Sequence, residues 1–464
     1  MRHQPTTDNR QLTTYSGYIT AALLISAVIA GIILYGLAFL VISQYQSIQR
    51  QHHLAQSMAI AEAGLNYYRW HLAHAPNDFT DGTGQPGPYI HQYSDPQSAV
   101  IGTFSLEITP PQAGSSAIVI SSTGATNQYP DITRTVTAQY GKSSMAQYSF
   151  LHDSHVWFGS GLTINGQAHS NGGIRNDGIN NSLVTSALET YTCGSETGCS
   201  SPQTKPGVWG SGSDQGLWQY PVPPIDFDAI SVDFTTMRSS AQSDGLYLAP
   251  SGNWGYHITF NSDSTVSVNI VTNANYYRGY DTGTGWQNLY QRIISETPVG
   301  TYQQSVIPVI FAEDHLWVEG TVTHPVEVIA ARFPIDTNHM NIWINGNLIY
   351  AVDDGSIQTG IIAQNDIIFI KNLPNNFIIH GALLAQGGRI IRHYYNCCGY
   401  SNIVRDSLTI KGAVISALKS YWNWGSGPSS GFRTRNITYD PNLRYSPPPY
   451  FPTTGEYEFI SWTE

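Results

Sequence analysis

Between Arg10 and Arg50 the chain carries no charged side chain. From Tyr18 to Ile42 it runs 25 residues in which, tyrosines aside, only Thr20, Ser26, Gly31 and Gly36 interrupt the apolar composition. A bilayer core asks for ~20 such residues in a helix, so this run can span one with some tilt. A cleaved secretory signal has a shorter apolar core of ~7–15 residues and a small-residue cleavage site after it. Ser43-Gln44-Tyr45-Gln46 offers no such site. The alternative is a buried helix of a soluble protein. The expected arrangement is a leader over 1–17 and one transmembrane helix over 18–43, with the lipid bilayer as its partner. Arg2 and Arg10 against Asp8 give the leader a net charge of +1. That excess favours a cytoplasmic N-terminus and an extracytoplasmic body.

The cysteines agree with an oxidising compartment. Cys193-Gly-Ser-Glu-Thr-Gly-Cys199 suits a small loop closed by a disulfide, with free thiols as the alternative. Cys397 and Cys398 are adjacent and could bridge each other only with strain. Neither pair has zinc-ligand spacing, and His393 stands alone beside the second. Charged residues make up 11% of the chain, against ~25% in ordinary soluble domains. So little Glu and Lys disfavours long solvent-facing helices and favours strands and turns. A net charge of −11 with five lysines argues against a nucleic-acid partner. A composition 41% hydrophobic and 12% aromatic argues against disorder.

No proline interrupts the chain between Pro5 and Pro76, and beyond Arg50 an apolar stripe appears: Leu54, Met58, Ala61, Leu65, Tyr68, Leu72. Steps of 4, 3, 4, 3 and 4 describe one face of a helix continuing out of the membrane. The stripe needs cover, from a homotypic coiled coil or from a sheet. Three strand-like runs follow, Gly102–Thr109, Ala117–Ser121 and Ile132–Tyr140, separated by Pro110-Pro111, Gly114, Gly124 and Pro130. Residues 44–142 therefore read as an amphipathic helix plus a small antiparallel sheet.

This order of elements resembles type IV pilins and their minor relatives over residues 11–140. Gln56-Ser-Met-Ala-Ile-Ala-Glu-Ala-Gly-Leu-Asn-Tyr67 is similar to the Ala-Glu-Ala segment of PilX-type pilus-biogenesis proteins. In the pilin pattern a glycine precedes the processing site, an aromatic follows it, and a glutamate stands five residues in. Gly17 and Tyr18 fit the first two, while Ala22 stands at the glutamate's place. The resemblance implies other pilin-like subunits as partners. The departure leaves a permanent anchor as the alternative to processing.

The remaining two thirds repeat a motif, apolar-x-(Ile/Val)-x-Gly. It occurs at Leu162–Ala168, Leu316–Val322, Ile342–Leu348, Phe377–Leu383 and Leu408–Val414, with glycines at Gly166, Gly320, Gly346, Gly381 and Gly412. Inward aliphatics at period two and a glycine where the chain corners suit the rungs of a β-solenoid, each burying its face on its neighbours. An antiparallel sandwich is the alternative. The repeat is loosely similar to bactofilins. The expected fold class is mainly β: an N-terminal transmembrane and amphipathic helix, a small pilin-like sheet, and a β-solenoid body with an insertion. The body is expected to start over 143–225 and to continue as rungs over 305–435. Between these lies an α/β insertion, 226–304, with a short helix around Asp226–Gln242 and a strand pair at Gly255–Phe260 and Val266–Val271. After that pair Tyr276, Tyr277, Tyr280, Trp286 and Tyr290 cluster, as loop residues able to stack on sugars or to form the insertion's core. Residues 436–464 read as a proline-rich strap across the solenoid's open end.

Chemistry is hard to find. There is no Walker loop, HExxH, GxSxG or EF-hand loop. His169-Ser-Asn171 with Asp153 and His155 invites a hydrolase reading, but a polar turn explains it better. Asp353-Asp354 and Asp366 could serve a glycan-cleaving β-helix, although Gly355 and Ser356 mark the first two as a turn. No catalytic, cofactor or metal site is therefore expected. The leading expectation is a non-enzymatic, membrane-anchored surface protein in pilus biogenesis, minor-pilin-like assembly or adhesion. The alternative is an anchored β-helical glycan-active enzyme or carbohydrate-binding protein with surface glycans as partners.

Overall fold

A computed structural model describes residues 16–111, 116–227, 234–425 and 427–463. The leader up to residue 15, residues 112–115 with the expected separator Gly114, residues 228–233, and residues 426 and 464 lie outside these. With 45% strand and one long apolar helix, the chain is mainly β. It divides into two compact units: Met1–Ile108 with Ile120–Ala138 and Trp462–Glu464, and Thr109–Val119 with Gln139–Ser461.

The first unit is built on helix α1, Ser16–His74. Its 59 residues give a rod of ~88 Å at ~1.5 Å per residue. Pro76 follows the last turn and cannot continue it. Four strands follow, β1 (Tyr89–Ser94), β2 (Val100–Thr109), β3 (Ile118–Thr126) and β4 (Thr133–Ser144), in that spatial order. Strand β1 is absent from the sequence reading. It is an edge strand with only Tyr89 buried, so it has no apolar alternation to reveal it.

The second unit is held by three parallel ladders. The first aligns Tyr256, Leu316, Ile342, Ile367 and Ile390. The second aligns Leu246, Ile310, Val328, Ile361, Leu383, Val414, Phe150, Ala168, Val184 and Trp218. The third aligns Gly320, Leu348, Ile379, Ile410, Ile437, Ile164 and Asn180. Nearly all these inward residues belong to one continuous core.

Stacking order is not chain order. The strand at Phe150 lies on the strand at Val414, so residues 143–225 extend the stack beyond its last-made rung. The chain enters the stack part-way along and builds to one end at Trp218. It then crosses to the other end at Leu246 and builds back. This corrects the expected insertion at 226–304. Leu246–Leu248 and Tyr256–Phe260 are themselves ladder strands. The long hairpin Thr265–Asp281 and Gly285–Gln303 is the antiparallel part of this segment, and its base pairs with the ladder strand through Ile270 opposite Tyr256 and Val266 opposite Phe260. Of the expected short helix around Asp226–Gln242, residues 228–233 lie outside the described residues, and the described part is α2, Phe234–Asp244, which buries Phe234, Met237 and Ala241. The strap is corrected as well. Gly431–Thr438 is a ladder strand, and Thr453–Thr463 joins the edge of the β4 sheet, where Ser143 donates to Glu458 at 2.6 Å.

The motif glycines divide into two kinds. Gly381 pairs with Gly412, and Gly166 follows Asn165, whose partner Thr438 pairs with Lys411, so these three share a column. Gly320 pairs with Leu348 and stands two positions earlier, in the column of Ile379. Gly346 falls in a bulge, where the register shifts between Val318 and Gly320. The expected single corner therefore holds three of the five. The physical reason is the two extra residues carried by Ile342–Tyr350.

The second ladder is apolar on its outer face too. Phe311, Ile329, Ile362, Leu384 and Ile415 are buried there with α2 and the segment around Leu443 and Phe451. Within that outer layer Glu327 is fully buried, and neither carboxylate oxygen has a hydrogen-bond partner. Desolvation raises its pKa well above the free value of 4.5, so the folded protein keeps it protonated. The unfolded chain releases that proton above ~4.5, so this group's contribution to stability falls as pH rises. Glu327→Met should therefore stabilise the fold by ~1–3 kcal/mol more at pH 8 than at pH 5. Thermal unfolding at the two pH values checks this, and an advantage that is constant or larger at pH 5 contradicts it.

Candidate functional site

The feature that most sets this chain apart is the division of α1 into an uncovered half and a covered half. From Tyr18 to Ile48 every side chain but that position at Gly36 is exposed, including Ile25, Ile29, Ile33 and Phe39. Among the described residues this is the one helix long and apolar enough to cross a membrane. So large a continuous apolar surface is unfavourable in water and is compatible with a single-pass anchor.

The upper half lies on the sheet. Ile60, Ala61, Leu65, Tyr68 and Leu72 are buried, together with Phe104, Leu106, Ile120 and Val136 from the strands. Two glycines permit the approach. A Cβ on Gly64 would stand 2.2 Å from Ser122 Oγ, and one on Gly124 would stand 2.2 Å from the Ser57 carbonyl oxygen. The structure thus covers the stripe with the chain's own sheet.

The stripe holds from Ala61 to Leu72 but turns by one residue nearer the uncovered half of the helix. There His53 and Ser57 are buried, while Leu54 and Met58 are only half-buried at the flank. Ser57 Oγ donates to the Ile132 carbonyl at 2.6 Å, and the His53 ring lies 4.2 Å from Tyr129. Apolar spacing could not reveal this polar contact. Above the helix, Asp78 accepts from the Thr80 hydroxyl and N–H and the Gly82 N–H, and lies 2.9 Å from His71 Nε2. These bonds, the Thr80 hydroxyl foremost, hold its carboxyl down at about 2. Gly17 falls within the first turns of α1 and Tyr18 is exposed.

In the second unit Cys193 and Cys199 are bonded to each other, with Cα atoms 5.8 Å apart. Cys397 and Cys398 are free, and their sulfurs lie 2.7 Å apart. The aromatic cluster is corrected from loop to strand. Tyr276 pairs with Tyr290 and Tyr280 with Trp286 across the long hairpin. Tyr276, Trp286 and Tyr290 are partly exposed, and Trp254 stacks on Tyr290 at 4.7 Å.

The polar residues singled out for chemistry are structurally engaged, and Asp153, His169 and Asn171 form one network in which the Asn171 amide donates to Asp153 Oδ1 at 2.7 Å. His169 bonds to Thr185 Oγ1 at 2.9 Å and to Asn171 Oδ1 at 3.1 Å, and burial lowers its pKa. Asn171 clamps the crossover: its amide donates to the Ile225 carbonyl, and its oxygen accepts the Ile225 N–H. Ser170 Oγ donates to the Ser154 carbonyl at 2.6 Å, so its hydroxyl is turned away from a nucleophile's role. His155 accepts the Gly173 N–H at 2.8 Å. Asp353 pairs with Lys411, Asp354 caps a turn by accepting the Ser356 N–H, and Asp366 accepts the Arg389 N–H. Among the described residues no group of three His, Cys, Asp or Glu side chains could hold a metal ion.

No family model matches the chain, and no curated protein matches it. Among solved structures it is similar to the competence-associated pilin ComZ from Thermus thermophilus, at 13% identity and a TM-score of 0.30. That match covers 89% of this chain and 97% of the other. At such a score the likeness carries no argument about fold or role.

Proposed function

We propose that this chain is a membrane-anchored, pilin-like extracytoplasmic structural protein that carries a β-solenoid and has no hydrolytic activity of its own. The observation that carries the reading is α1: one helix, bare and apolar over Tyr18–Ile48 and then laid on a sheet through Gly64 and Gly124. That is the division of labour of a pilin helix, one half for lipid or neighbouring helices and one half for its own domain. The three parallel ladders support the solenoid reading of the body. Asp153 and His169 are both tied to Asn171, while Asp353 and Asp366 hold Lys411 and the Arg389 N–H elsewhere; this supports a holding role over a glycan-cleaving one, because acid/base cleavage needs two carboxylates converging on one bond.

Protease added to intact cells should remove the body and leave a membrane-protected N-terminal fragment. The detergent-solubilised chain should co-purify with smaller pilin-like subunits through residues 18–48. It should release no sugar from bacterial glycans, with or without Asp353→Asn or His169→Ala. A body shielded from protease in intact cells refutes the topology. Sugar release lost on a single carboxylate or histidine change replaces the structural reading with the enzymatic one.

A further inference from the structure

At one level of the body a ladder is interrupted. The first ladder continues from Ile391 to Tyr421 through a parallel bridge. The next strand on that face, Val156–Phe158, belongs to a separate three-stranded sheet with Ile174–Asn176 and Val208–Trp209. The other two faces stay paired at the same level, through Val414 with Phe150 and Arg435 with Leu162. One wall is open between two rungs while the other two fix the distance between them.

A cavity of about 300 Å³ occupies this opening. Phe150, Phe158 and Trp422 line its floor, and Trp157, 39% exposed, stands in its lining at the surface. Between these aromatics the inward positions turn polar. His152 is 1% exposed, and neither of its ring nitrogens has a partner. Burial first, and then nearby Lys419, hold its pKa down at about 3. It is therefore a neutral ring with one donor and one acceptor. Arg435 takes the column position between Leu408 and Leu162, where the motif elsewhere has an aliphatic or aromatic residue. Its Nη2 donates to the Ser160 carbonyl at 3.1 Å, and its buried Nε is unpaired. Lys419 donates to the Glu196 carbonyl and lies 5.9 Å from the Trp157 ring. Asp177, the acid among the lining residues, is already engaged by Arg175 at 2.7 Å and the Trp157 indole N–H at 2.8 Å. Unpaired buried polar groups are costly, and here two side chains that carry them, His152 and Arg435, line one aromatic cavity with a surplus of positive charge.

We propose that this cavity binds one acidic sugar unit, a pyranose ring bearing a carboxylate. Lys419 and Arg435 match the carboxylate. The Arg175 guanidinium lies over the Trp157 ring at 4.2 Å, which leaves that ring's other face, with Tyr421, for the apolar side of a sugar. The neutral His152, able to donate and accept at once, matches hydroxyl groups, which do the same. An aliphatic or aromatic acid has no hydroxyl to satisfy it. The volume sits at the small end of ligand sites, ~300–1,000 Å³, and so limits the occupant to a single ring. The site is independent of the anchoring reading, because a chain that failed to fractionate with membranes would still carry it.

The test is calorimetric titration of the full-length protein in detergent micelles with glucuronic acid, glucose and benzoic acid. Glucuronate should bind saturably and at least about tenfold more tightly than either of the others. Trp157→Ala, at the exposed rim, and Lys419→Gln should each weaken it about tenfold in a protein that still unfolds cooperatively. Equal binding of glucose removes the role of the cations, and equal binding of benzoate removes the sugar; either overturns the proposal. So does the absence of saturable glucuronate binding at millimolar concentration, which leaves the cavity a hydrated gap between rungs.

Discussion

Arginine at both Ile29 and Ile33 is expected to abolish membrane integration. Both side chains are more than half exposed in a stretch with no protein cover, so in a bilayer they would face lipid or a neighbouring helix. On insertion scales each arginine near the centre of a span costs ~2.5–3.5 kcal/mol, and the pair therefore ~5–7 kcal/mol. At about 1.4 kcal/mol per decade, that lowers the inserted population by roughly four orders of magnitude. After alkaline carbonate extraction the wild-type chain should remain in the membrane pellet. The double variant should be soluble or degraded. Arginine at Gln44 and Gln46, beyond the apolar run, should leave integration intact. A double variant that pellets like the wild type, or a wild type that is extracted, would refute the anchor.

How far residues announce their places can be judged from α1 and the body together. The uncovered apolar helix from Tyr18 to Ile42 was legible as a helix compatible with a membrane anchor, because bilayer thickness asks for a length and a composition that few other constraints mimic. The stripe was legible where leucine and tyrosine fill it and misread where His53 and Ser57 do. Short polar side chains can be buried when a carbonyl or ring stands opposite, and the Ile132 carbonyl and the Tyr129 ring belong to a loop far along the chain. The glycine motif announced strands and corners, since inward aliphatics at period two and a positive φ both leave a local mark. It could not announce that Phe150 stacks on Val414. Ladder partners are chosen by whole-face complementarity, and a chain that starts mid-stack uses the same local pattern as one that starts at an end. The cavity was illegible for the opposite reason. His152 and Arg435 look like unremarkable polar residues until the ladders place both at inward positions.

The same motif position should respond very differently to one methyl group, depending on where the ladders put it. Gly412 has φ +146°, a region closed to other residues, and a Cβ there would stand 1.9 Å from the Gly381 carbonyl oxygen. Both obstacles are backbone, and the strand Asn376–Ala385 that supplies the carbonyl is itself fixed by the rung beyond it. Gly412→Ala should therefore destabilise the body by ~3–5 kcal/mol, through forced φ strain and a parted ladder. Gly346 stands at the same place in the motif, yet it lies in the bulge with no positive φ, and its nearest obstacle is the flexible end of Glu319 at 2.2 Å. That carboxylate can swing aside, at the loss of hydrogen bonds to His257 and Asn345, so Gly346→Ala should cost under ~2 kcal/mol. Thermal or denaturant unfolding of the two variants side by side measures the difference. Equal losses would mean that the bulge does not exist and that the motif glycines share one corner after all. A harmless Gly412→Ala would remove the close contact between neighbouring rungs on which the parallel stack depends.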